Sequence, residues 1–193
     1  MKYLSLFLFS ALSALVVGCG TAPREQFYTL NAPSLANGEA GSPLLVVAQV
    51  SLPEAVDRPQ IVIREAQNQV NLLEQQRWAS SLQSQFTQAL TGHLQAALPQ
   101  WQLAARQQHA NREAKWTLWL DVHSFELSAK QGTRLEVSWS LRSSDGKQAH
   151  KAQSSLQQAC VACDTAGLVA AQEKAIAQLA KEISVVALRL HTR

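Results

Sequence analysis

Residues 116–127 read WTLWLDVHSFEL and residues 133–142 read TRLEVSWSLR. In the second stretch Leu135, Val137, Trp139 and Leu141 alternate with Arg134, Glu136, Ser138 and Ser140, the period of two that sets one strand face on a core and the other in water. In the first, Trp116, Leu118, Leu120 and Val122 take one side, while Trp119 and Phe125 share the other with Asp121 and His123. Apolar side chains on both faces predict a strand near the middle of its sheet. Ser144-Asp145-Gly146-Lys147 is expected to be a hairpin turn, because Asp-Gly accepts the positive φ angles of tight primed turns. The return strand, 148–158, is polar and is expected to be exposed or at an edge.

Upstream, residues 44–52 (LLVVAQVSL) are rich in β-branched side chains and stop at Pro53. Residues 60–64 and 69–73 read as two short strands around Glu65-Ala66-Gln67-Asn68, so three strands of the domain precede any helix. From 79 to 98 the period changes: Leu82, Phe86, Ala89, Leu90, His93, Leu94, Ala97 and Leu98 recur at three and four, and Pro99 ends the run. A second helix is predicted over 165–190, with Thr165 as N-cap and a stripe of Leu168, Ala171, Ala175, Ile176, Leu179, Ile183, Val186 and Leu190. The fold class is therefore α+β, a mixed and mostly antiparallel sheet with two main helices packed against it, in one domain over 43–193.

The N-terminus is of a different kind. A basic start, Met1-Lys2, leads into an apolar run over 3–17, which is the layout of a secretory signal. The run is shorter than the ~20 residues a spanning helix needs. It ends in Val16-Val17-Gly18-Cys19, which resembles the lipobox of bacterial lipoproteins. That resemblance implies cleavage after Gly18, a diacylglycerol on the Cys19 thiol and acylation of the new amine. Several acyl chains, at ~0.8 kcal/mol per buried methylene, hold a protein on a membrane essentially permanently. Gly20 stands where lipoproteins kept at the inner membrane often carry Asp, so the outer membrane, periplasmic face, is the expected address. Residues 1–18 are thus read as signal peptide and 19–42 as lipidated N-terminus and tether around one short strand, 26–30.

Export changes the meaning of Cys160-Val161-Ala162-Cys163. In an oxidising compartment a disulfide is expected. Thiol exchange would need a thioredoxin-like βαβ setting that does not precede it, and two thiolates make half a zinc site at best.

The composition argues against several classes of function. Of 193 residues 47% are hydrophobic and 16% charged, with a formal net charge of +3, about +2 once Lys2 leaves with the leader, which is too little for a nucleic-acid binder. No GxSxG, HExxH, P-loop or GxGxxG occurs. His93, His109, His123, His150 and His191 share no ligand spacing, and Asp121 and Glu126 are expected on opposite strand faces. No enzyme, metal or cofactor is expected beyond the lipid on Cys19. Trp78, in Arg77-Trp78-Ala79-Ser80-Ser81-Leu82, stands at the expected helix entrance, either as a staple onto the next turn or as part of a partner surface.

Two stretches taken together resemble the ABC-type transport auxiliary lipoprotein family, the PqiC- and YmbA-like proteins. They are Val50-Ser51-Leu52-Pro53 running on through Asp57-Arg58-Pro59-Gln60-Ile61-Val62-Ile63-Arg64, and Arg77-Trp78-Ala79-Ser80-Ser81-Leu82. The lipobox, Phe27-Tyr28-Thr29-Leu30 and Leu98-Pro99-Gln100-Trp101 fall in the same order. The resemblance implies a non-enzymatic lipoprotein of an intermembrane lipid transport system. Its partner would be an MCE-domain conduit protein docked at the outer membrane, and the lipoprotein itself a ring-shaped homo-oligomer. Asp57, Arg58, Pro59, Arg77 and Trp78 are the expected partner surface. A chaperone for another outer-membrane complex, or a thiol-redox protein using Cys160 and Cys163, are the competing readings.

Overall fold

The computed structural model describes residues 24–33, 41–105 and 114–192. The signal peptide and Cys19 lie outside these residues. The described elements are β1 (Gln26–Tyr28), β2 (Leu44–Ser51), β3 (Gln60–Ala66), β4 (Gln69–Trp78), α1 (Leu82–Ala97), β5 (Gln102–Ala105), β6 (Trp116–Ser128), β7 (Gly132–Ser143), β8 (Ala149–Gln158) and α2 (Thr165–His191). The chain is α+β, with two helices and strands in mixed sheets among the described residues. Among the described residues no helix is long and apolar enough to cross a membrane.

The strands form two sheets. One has three strands in the order β1-β4-β3, the other five in the order β5-β2-β6-β7-β8. The parallel pairs are β1 with β4 and β2 with both β5 and β6, all short ladders. The antiparallel pairs β6 with β7 and β7 with β8 are the long ones. β6 is central and the polar β8 is an edge, as the patterning predicts.

The central strand departs from its predicted phase at one residue. In the β6–β7 ladder Val122 pairs with Val137 and Ser124 with Glu136, so His123 is an extra, bulged residue. An inserted residue flips every later side chain to the other face. Phe125 therefore lies in the core at 3% exposure instead of beside Trp119, and Leu127 follows it. Ala48 plays the same part in β2, which lets Leu45, Val47 and Val50 all reach the core.

Both helices lie on this sheet and against each other, α1 by β2 and β5, α2 by β7 and β8. α1 contributes Leu82, Phe86, Ala89, Leu90 and Leu94, all below 2% exposed, and the ring of Phe86 meets Phe125 at 6.4 Å. Trp101 stacks on Trp116, and His191 at the end of α2 meets its ring.

Several boundaries differ from expectation. α1 starts at Leu82 with Ser81 as cap, because residues as far as Trp78 extend β4 and pair with β1 and β3. The N-cap of α2 is Asp164, whose carboxylate accepts from the Gly167 amide at 2.8 Å. At the β7–β8 turn only Gly146 takes a positive φ, 70°, so this is a four-residue loop and not a two-residue primed turn. β5 was not expected, since Gln102-Leu103-Ala104-Ala105 has no periodicity and gains strand form from β2 beside it.

The described part of the N-terminal segment is docked. Leu30 is buried and its amide donates to Gln85 Oε1 at 2.8 Å, while Gln85 Nε2 donates to the Ser80 carbonyl at 3.0 Å. The Asn31 amide donates to Glu173 Oε2 at 3.2 Å. At Gly92 the segment crosses α1 so closely that an added Cβ would lie 2.8 Å from the Pro33 carbonyl oxygen, which is why this helix carries glycine there.

Candidate partner cleft

Three of the loop residues and Trp78, all expected to face a partner, come together where the small sheet meets α1. After β2, the Pro53 carbonyl accepts from the amides of Val56 at 3.0 Å and Asp57 at 3.1 Å, and the Arg58 amide donates back to Val56. This tight loop delivers Asp57-Arg58-Pro59 to the end of β4, where the Trp78 amide donates to the Pro59 carbonyl at 2.8 Å. On the other side of β4 the Ala79 amide donates to the Tyr28 carbonyl at 2.9 Å. Asp57, Arg58, Pro59, Trp78, Ser80, Ser81 and Leu82 then line a cleft of about 520 Å³.

Trp78 is a wall residue and not an exposed anchor. It is 5% exposed and its ring sits edge-on to Phe125 at 6.2 Å. Trp78 thus ends β4, three residues before the Ser81 cap, and packs into the core instead of stapling onto the next turn of the helix. Arg77 is not among the residues lining the cleft. Its Nε pairs with Glu25 Oε1 at 3.3 Å and donates to the Glu74 carbonyl at 3.2 Å.

Arg58 is the chemically open member. Its guanidinium makes no ion pair among the described residues, and its Nε is buried without an acceptor. The neighbouring end of α1 has no acidic residue in its first turn, and the only side-chain cap is a long 3.5 Å contact from the Ser84 amide to Ser81 Oγ. The first amides of any helix lack intrahelical acceptors and carry partial positive charge. Guanidinium and helix end therefore make an electropositive corner, moderated by the Asp57 carboxylate at the same cleft.

A second cleft, about 720 Å³, lies on the sheet face away from the helices around Trp119, Asp121, Ser138 and Lys151. Ser51 Oγ donates to Asp121 Oδ1 at 2.6 Å in this cleft, and His123, which does not line it, has Nε2 2.6 Å from Ser138 Oγ and Nδ1 3.9 Å from Asp121 Oδ2. Sequence spacing missed this set because it forms across β2, β6 and β7. The 3.9 Å separation is too long to orient the imidazole by a hydrogen bond. His123 is itself the bulged residue of β6, beyond the Ser51–Asp121 end of the β2–β6 ladder.

Cys160 and Cys163 form a disulfide, with Cα atoms 5.3 Å apart, at the mouth of α2. Gly167 belongs to this loop as much as to the helix, since any Cβ there would strike the Ala162 carbonyl. Among the described residues no group of three or more His, Cys, Asp or Glu is arranged to hold a metal ion. His93 sits between the helices with Nε2 buried and unpartnered. Burial pushes its pKa below the usual 6.5, against the pull of Glu173 and with the push of Lys181.

No curated protein matches this chain. Two solved structures share its fold. One is a crystal structure of an uncharacterized protein, 21% identical, with a TM-score of 0.74 over 86% of this chain and 99% of its own. The other is protein XCC0632 from Xanthomonas campestris, 20% identical, with a TM-score of 0.65 over 86% of this chain and 97% of its own. At such identities the likeness carries the fold alone. The family model of the ABC-type transport auxiliary lipoprotein component matches residues 28–184, from β1 into the last turns of α2, and the chain belongs to that family.

Proposed function

We propose that this chain is the non-enzymatic lipoprotein of an MCE-type, ABC-linked intermembrane lipid transport system, holding the periplasmic conduit at the outer membrane and supporting envelope integrity. Family membership is the observation that carries the reading, since an auxiliary transport component works through a transport system and not alone. The docked N-terminus adds a length. From Cys19 to Gln26 is seven residues, at most about 25 Å fully extended. A lipid on Cys19 would therefore keep the three-stranded sheet and its cleft close to the membrane surface. In this reading the protein is a homo-oligomeric ring, needs no cofactor besides its lipid, and uses Cys160–Cys163 as a structural clip.

In-cell crosslinking of the full-length protein tests the partner. An MCE-type protein encoded beside this gene is expected in the adduct, and recovery of only unrelated envelope proteins would sink the reading. Cys19→Ala should give a folded domain that leaves the outer-membrane fraction. If that variant still fractionated with the outer membrane and restored envelope function, the anchoring argument would be wrong.

A further inference from the structure

We infer that the cleft between the Asp57-Arg58-Pro59 loop and the start of α1 recognises a single carboxylate carried on a peptide segment of the transport partner, next to an apolar side chain. Arg58 carries the argument: a guanidinium with a buried Nε, no acceptor and no ion pair among the described residues, in a cleft of about 520 Å³. A cation at a cleft wall with no ion pair of its own is open to an anionic partner. The planar guanidinium fork fits a carboxylate with two parallel hydrogen bonds. The adjacent end of α1, free of acidic residues in its first turn, favours negative charge at the same place.

Asp57 selects among anions. Its carboxylate lines the same cleft. A phosphate monoester, with a charge of about −1.5 to −2 near pH 7, meets more repulsion from it than a carboxylate does. Ser80 and Ser81 add hydroxyls to the remaining wall, and Pro59, Leu82 and Trp78 form its apolar part. They suit an aliphatic or aromatic neighbour of the acid, and the volume lies within the ~300–1,000 Å³ common for ligand pockets. A peptide offers both groups on one chain.

The inference deepens the transport reading and rests on it for there being a partner, but the two can fail separately. A photo-crosslinking residue at Ser80, on the cleft wall, is introduced into the otherwise intact lipoprotein in cells, and the adduct is mapped by mass spectrometry. The expected adduct is a partner segment with Asp or Glu beside an apolar residue. Arg58→Glu should lower adduct yield at least about tenfold, and exchanging the mapped acid for Arg should restore it. Arg58→Gln, with an unchanged melting curve, serves if the charge reversal disturbs folding, and should lose yield likewise. An adduct with lipid only, a partner segment without a carboxylate, or full yield from either Arg58 variant would overturn the inference. If the mapped segment belongs to a transport component other than an MCE protein, the carboxylate rule stands and the MCE reading falls. Capture of an MCE protein only through another face does the reverse.

Discussion

The two sheets among the described residues put their side chains to different uses. β6 and β7 bury nearly every second side chain beneath two helices, whereas most of β4 and the far end of β3 are half-exposed or exposed. The small sheet adds little to the core beyond Ile61, Val62 and Trp78. Yet the family-like motifs cluster on it and on the loops beside it, and the open cation Arg58 lies there. Apolar periodicity marks where this fold is stable. Departures from it, in strands that give the core only a few side chains, mark where the proposed partner would find room.

The largest test of this contrast is a pair of truncations. Phe86→Ala, in a residue fully buried on α1, should cost about 3–5 kcal/mol in denaturant unfolding. Val70→Ala, 45% exposed at the small sheet's hairpin, should stay within about 0.5 kcal/mol. Equal losses would mean that the small sheet is as much a part of the stability core as the large one. Next comes the strap joining the two regions. Gly92→Leu must push Ala32 and Pro33 off α1, at about 1–3 kcal/mol, and should expose residues 31–33 to limited proteolysis while the five-stranded sheet keeps its hydrogen-exchange protection.

The clip should matter less. It closes a loop with a sequence separation of only three, so replacing both cysteines by serine is expected to cost at most about 2 kcal/mol by loop entropy. A much larger loss would place the β8–α2 corner among the principal supports of the fold. Thiol titration of the native protein should find both cysteines oxidised and slow to exchange, and a readily cycling pair would revive the redox reading. The smallest effect belongs to His93. Its pKa in the folded chain is lowered by burial, so the unfolded chain binds more protons once the pH falls below about 6.5. Stability should therefore decline with pH in that range, and His93→Gln should flatten the slope in melting curves from pH 7.5 to 5.5.

Of the described elements both helices, six of the eight strands nearly to their ends and the edge position of β8 were legible from periodicity, because a strand or helix facing one core writes its period into neighbouring residues. β5 left no such trace, and the extension of β4 to Trp78 was hidden because its pairing partners lie far away in sequence. The candidate site was legible as residue types, Asp57-Arg58-Pro59 and Trp78, but not as a place. Nothing local says that Trp78 turns into the core against Phe125, or that Arg77 turns away to Glu25.

Short-range pattern decided the α+β class, the order of elements and, through Val16-Val17-Gly18-Cys19, the expected membrane address, since each depends on residues within a few positions of one another. Only the packed chain decided the division into two sheets, the His123 bulge that moves Phe125 into the core, and the meeting of Arg58 with the start of α1. Those depend on contacts between residues tens of positions apart. Their free energies arise from burial and hydrogen bonding that exist only once the whole chain has closed around its core.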